Sequence, residues 1–183
     1  MGVVFDTVDD YITAGTAANL VNNASAFSIS MWTFATATVV NTGAARLWFR
    51  DGVSGTKVLQ FFIVVGSTSL QLNRPRATTN MVMVTTPDTI TLSSWQNIVV
   101  TCPTTTTAAA IKVYVNTVDV VHTTNTNGAG AFSVTDGTVF IGNEIGLNRP
   151  FGGYISEVAI WNSVLTAAQV TSIYARGRRG VPL

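Results

Sequence analysis

Carboxylates are the groups that a chain so poor in charge would use for metal or acid–base chemistry. Nine occur in 183 residues, and three of them crowd into "VVFDTVDDYIT": Asp6, Asp9 and Asp10. A calcium site needs about six to eight oxygens from converging loops. "DTVDD" has neither the alternate-oxygen spacing nor the glycine of an EF-hand loop. A turn needs only short acids bonded to nearby backbone. The turn is the preferred reading; calcium is the alternative, and no metal ligand is assigned.

A glycoside hydrolase needs two carboxylates flanking the scissile bond. The two glutamates, Glu144 and Glu157, stand on different segments, and neither has an acid at i+2 or i+4. Glu157 is expected to anchor a loop or the turn of a following helix by accepting hydrogen bonds. The single histidine, His122, has no acid or serine motif around it, and one histidine makes no His-metal cluster. The single cysteine, Cys102, excludes an intramolecular disulfide and a multi-cysteine zinc site. It ends the apolar run "NIVVTC" and reads as a buried, inert thiol. There is no Gly-x-Ser-x-Gly and no phosphate loop. These residues predict no catalytic group, no enzyme and no cofactor.

The elements that must carry any site are strands. Charged residues make up 10% of the chain, against about 25% in an ordinary soluble domain, and hydrophobic residues 47%. Apolar residues alternate with period two through "FSISMWTF", "ARLWFR", "SLQL", "MVMV", "WQNIVVTC", "AIKVYVN" and "GYISEVAIW", with Gly- and Asn-rich breaks between. The pattern predicts an all-β sandwich or barrel, with residues 1–183 forming one domain. "FFIVV" is apolar on both faces and is expected to be a central strand covered outside by a loop or another subunit. "LTAAQVTSIYARG" predicts one short helix. Thr166 and Gln169 form a capping box, Leu165 and Val170 a hydrophobic staple, and Gly177 the end. A net charge of +1 gives no general pull toward nucleic acid or anionic membrane. No apolar run approaches the roughly 18 residues of a membrane helix. Asp6 comes too early for a signal peptide, so synthesis in the cytoplasm is expected.

Taken in order, "FDTVDDYIT", "FSISMWTF", "WQNIVVT", "IKVYVNTVDV" and "FIGN…FGGYISEVAIWNSVLTAAQVTSIY" resemble the laminin-G-like branch of the concanavalin A-like lectin/glucanase superfamily. The resemblance covers nearly the whole chain and implies a jelly roll of two curved antiparallel sheets with a short C-terminal helix. It makes the acidic stretch a first hairpin and places Trp32, Trp95 and Trp161 in the core. Two departures stand out: Thr7 replaces the family's glycine after Phe-Asp, and Asn116-Thr117 replaces Asp-Gly in a mid-chain hairpin.

Two roles fit such a chain. As a carbohydrate-binding module, with calcium or without it, it would present Trp48, Arg50 and Asp51 together with Asn143, Glu144, Asn148 and Arg149 of the loop "NEIGLNRPF" to host surface glycans. It would then be extracellular. As a virion structural protein, a capsid decoration or phage adhesin, it would pack against other virion proteins or copies of itself on the particle surface. Arg176, Arg178 and Arg179 would serve as docking contacts. The low charge, absent disulfide and missing signal peptide make the virion role the leading expectation of the two.

Overall fold

The computed structural model describes residues 2–16, 26–36, 45–51, 57–131 and 137–181. The strands are β1 (Val3–Asp6), β2 (Ile12–Thr16), β3 (Phe27–Ala35), β4 (Ala45–Asp51), β5 (Lys57–Ile63), β6 (Leu70–Arg74) and β7 (Met81–Thr85). They continue as β8 (Trp95–Cys102), β9 (Lys112–Val115), β10 (Val118–Asp119), β11 (His122–Thr126), β12 (Thr138–Ile141) and β13 (Gly152–Trp161). One helix, α1 (Ala167–Arg178), follows. The strands form two antiparallel sheets, a six-stranded one ordered β1-β13-β3-β8-β9-β10 and a seven-stranded one ordered β11-β7-β6-β5-β4-β12-β2. This is the jelly-roll sandwich that the resemblance implied.

The alternation decides which side chains meet between the sheets. Phe27, Ile29, Met31 and Ala35 of β3 and Ile98 and Val100 of β8 face Leu59, Phe61 and Ile63 of β5 and Leu70, Leu72, Met81 and Met83 of β6 and β7. Each of the Phe, Ile, Leu, Met and Val side chains among them, fully buried, contributes about 1.5–3 kcal/mol. β5 is the middle strand of its sheet, as its two-sided hydrophobicity requires. Its outer residue Phe62 is covered by the Arg46 guanidinium, 4.4 Å from the ring centroid.

The acidic stretch is a turn but not a hairpin. β1 pairs with β13 in one sheet and β2 with β12 in the other, so residues 7–11 cross between the sheets. Asp10 Oδ2 accepts from the Asp6 amide at 2.8 Å, and Asp6 Oδ1 accepts from the Val8 amide at 2.8 Å. Thr7 takes φ of 75°, the left-handed geometry that the family's glycine adopts without strain. Asn116 and Thr117 likewise carry φ of 50° and 79°. Asn116 offsets its cost by accepting the Asn97 amide on Oδ1 at 2.9 Å.

Helix α1 begins as predicted. Both halves of the Thr166–Gln169 capping box are present, and Leu165 and Val170 share one buried cluster with Val99, Tyr114 and Ile173. Gly177 does not end it. The helix continues to Arg178, and Gly180, at φ of 66°, closes it instead. The Gly180 amide donates to the Gly177 carbonyl and the Val181 amide to that of Arg176, a Schellman closure.

Cys102 is buried, with its Sγ accepting from Arg74 Nη1 at 3.2 Å. Burial pushes its thiol pKa up, against the opposing pull of Arg74. Because the thiolate is the reactive species, a disulfide reagent at neutral pH is expected to leave the native chain unlabelled and to titrate one thiol after denaturation. Stoichiometric labelling of the native protein within minutes would contradict this placement.

Candidate glycan-binding cleft

Of the residues marked in the sequence as glycan contacts, three of the five whose side chains are described lie inside the protein. Trp48 is fully buried. A bulge between Arg46 and Trp48 breaks the alternation of β4, so both Leu47 and Trp48 point into the core. Arg50 and Asp51 belong to β4, but their side chains lie outside the described part of the structure. Asn143 and Glu144 are buried too. Asn143 Oδ1 accepts the amides of Glu144 at 2.9 Å and Arg149 at 3.2 Å, which winds the loop around its own side chain. Glu144 bonds Arg46 Nε through Oε2 at 3.0 Å and Arg149 Nε through Oε1 at 3.2 Å. Burial lowers the Arg46 pKa, and the Glu144 charge opposes that shift. Among the described residues of that set, Asn148 at the loop tip, and Arg149 in part, reach solvent. The group is a structural knot, and its carboxylate is already occupied.

The exposed aromatic surface lies on the opposite sheet. In "FSISMWTF", Phe27, Ile29 and Met31 take the core phase, so Trp32 and Phe34 share the outer phase with Ser28 and Ser30. Phe34 pairs with Trp95 of β8 on one side and Tyr154 of β13 on the other, and Tyr154 pairs with Val4 of β1. An apolar row thus crosses four neighbouring strands. Its ring centroids are 5.9 Å apart for Phe34–Trp95, 5.8 Å for Phe34–Tyr154 and 6.2 Å for Trp95–Tyr154. Trp95 is 41% exposed and Tyr154 40%. Helix α1 covers the sheet up to Trp32, which stacks on Tyr174 at 5.5 Å, and stops short of this row. Two of the three tryptophans assigned to the core by resemblance, Trp32 and Trp95, therefore help to form an outer surface. Trp161 is half-buried beside the helix.

Between the aromatic row and the end of the helix opens a cleft of about 340 Å³, lined by Trp32, Trp95, Ser156, Glu157, Gly177, Arg178 and Gly180. Glu157 sits where the β13–β3 register shifts, at φ of 49°, a left-handed conformation that costs a non-glycine residue roughly 1–2 kcal/mol. Its Oε2 is buried with no hydrogen-bond partner, as is Trp32 Nε1. The anchoring bonds expected of Glu157 are therefore not made. Gly177 explains how the helix fits: a Cβ there would lie 2.3 Å from Trp32 Nε1. The last turn passes directly over the indole edge. Of the three terminal arginines, Arg178 lines this cleft, Arg176 lines a second cleft of about 250 Å³ with Trp161 and Gln169, and Arg179 Nε donates to the Ala175 carbonyl. The signal for the site was present in the sequence as aromatic residues on the polar phase of two strands.

A model of the concanavalin A-like lectin/glucanases superfamily, Laminin_G_3, matches residues 6–171. No curated protein matches the chain significantly in sequence. Among solved structures, the carbohydrate-binding module CBM40 of the Ruminococcus gnavus IT-sialidase, bound to α2,3-sialyllactose, aligns with a TM-score of 0.71 at 13% identity. The alignment covers 94% of this chain and 96% of that one. The Limulus polyphemus SAP-like pentraxin, a heptamer, aligns with a TM-score of 0.63 at 16% identity over 93% of this chain and 80% of that one. The binding domain of botulinum neurotoxin serotype G aligns with a TM-score of 0.66 at 12% identity, over 95% of this chain and 42% of that one. With the family match spanning almost all of the chain and the jelly roll in place, the protein belongs to the laminin-G-like family of the concanavalin A-like lectin/glucanase superfamily.

Proposed function

We propose that the protein is a carbohydrate-binding module without catalytic activity, and that it holds glycan in the cleft between the β13–β3–β8 surface and the end of α1. The observation that carries this reading is Trp95, 41% exposed in an aromatic row that walls a cleft also lined by Ser156, Glu157 and Arg178. Sugar rings present apolar C–H faces that pack on indole and phenol, and hydroxyls that need fixed polar partners at the edge. The cleft offers both. Among the described residues that line it, Glu157 is the one carboxylate, and glycoside hydrolysis takes two. The sialidase module of nearly equal extent supports the same class of function. A virion-surface role has only the sequence features named above behind it, whereas glycan binding is supported by a site.

The test is a glycan array probed with the purified chain, with calcium and again with chelator. Selective signal is expected in both arms, because the described residues that line the cleft include no cluster of acids. In Trp95→Ala, affinity for the best glycan should fall about 30-fold, the roughly 2 kcal/mol of a buried aromatic anchor. The circular dichroism spectrum should not change, since a half-exposed side chain contributes little to the core. Absence of any selective signal, or full affinity in Trp95→Ala, would overturn the assignment.

A further inference from the structure

Resting on the glycan-binding reading above, we infer that the site takes a soluble glycan chain of several sugars, one ring in the cleft against Trp95 and the next on Tyr154. Tyr154 is 40% exposed, yet it is not among the residues that line the cleft. Its ring centroid lies 6.2 Å from that of Trp95, so aromatic surface continues past the cleft wall. Phe34, half-buried, stands at 5.9 Å from Trp95 and 5.8 Å from Tyr154 and supports both rings. A cleft made for one terminal sugar needs no such surface outside it. Contiguous exposed apolar surface marks a place where something packs. Here it joins a cleft that holds Ser156, Glu157 and Arg178, and stacking faces beside polar groups suit sugars better than an apolar partner.

The strip also has an open end. Tyr154 pairs with Val4, which is 58% exposed, and β1 is the edge strand of its sheet. Helix α1 bounds the cleft on the other side, through Gly177 and Arg178. A chain leaving the cleft over Tyr154 is led toward the sheet edge, past Val4. The angle between the rings then restricts the kind of chain. The planes of Trp95 and Tyr154 are tilted by 44°. A flat face, such as the surface of a crystalline polysaccharide, stacks on two rings only when they are coplanar. A single chain whose successive sugars turn about their linkages follows the tilt.

The experiment titrates the full chain with maltooligosaccharides, laminarioligosaccharides and cello-oligosaccharides, each from the monosaccharide to the hexasaccharide, and with graded fragments of the strongest array glycan. In the series that binds, affinity should rise about 10-fold from one sugar to three and then level off. Tyr154→Ala should remove most of that rise, Tyr154→Phe should keep it, and Trp95→Ala should lower binding at every length. Retention on crystalline cellulose or chitin should be no greater than that of Trp95→Ala. Affinity that does not rise with length in any series would overturn the inference. So would a rise unmoved by Tyr154→Ala, or preferred binding to the crystalline solids. A dimer of the free chain that is lost in Tyr154→Ala would also overturn it, giving the strip to a second copy. In each of these cases, loss of array signal in Trp95→Ala would leave the glycan-binding function standing. If no glycan binds at all, both fall together.

Discussion

Glu144→Ala is expected to lower the unfolding free energy by about 3–5 kcal/mol, the usual cost of removing one partner of a buried ion pair. Arg46 is 3% exposed and stacks on Phe62, so its guanidinium has no short route to water when the carboxylate is gone. Arg149 loses the same partner but is 30% exposed and can be solvated. The loop should loosen as well, because Glu144 ties residue 46 of the sheet to residue 149 at the far end of the loop, alongside the Arg46 amide bond to the Arg149 carbonyl. Glu144→Gln keeps the shape and one acceptor and should fall between wild type and alanine. Denaturant midpoints at constant m-value check the series. A loss below about 1 kcal/mol in Glu144→Ala would mean that water reaches Arg46 after all.

Gly153→Ala should be still harder for the fold to absorb. Gly153 stands inside β13, between Phe5 of β1 and Ala35 of β3, with φ of 132°. A Cβ there would lie 1.9 Å from the Phe34 carbonyl oxygen, a backbone atom that cannot move without breaking the β13–β3 ladder. Conformational strain and collision add, and the expected cost is about 4 kcal/mol or more. Gly66→Ala is the control. Its φ is 64°, and nothing lies within 4 Å of the added carbon, so it carries strain alone, about 1–2 kcal/mol. The two variants' thermal midpoints separate the effects. Equal losses would show that the sheet yields at Gly153.

How much of this was readable beforehand differs from element to element. The sandwich was legible because alternation is a period-two signal repeated on every strand. The capped start of α1 was legible because Thr166 and Gln169 act within one turn. The helix end was not, since Gly177 has the residue type of a terminator but serves to clear Trp32, and only tertiary packing distinguishes the two uses. Trp48 was misplaced because a bulge shifts the alternation, and a bulge has no composition of its own. The aromatic row, by contrast, could have been found: Trp32, Phe34 and Trp95 lie on the phase opposite the core residues of their strands. Family resemblance points the other way, because it assigns the tryptophans at these positions to the core. The occupied state of Glu144 and the unpaired oxygen of Glu157 depend on contacts between residues far apart in sequence, which no local pattern reports.

The first strand and the last helical turn arrive at the same indole. A Cβ on Gly2 would lie 2.8 Å from Trp95 Cη2, and Gly180 lines the cleft that Trp95 walls. Residues 2 and 180, far apart in sequence, therefore meet at one wall of the proposed binding surface. A designed tether between these two segments would be laid across the cleft, so the site could be closed off without touching a residue that lines it.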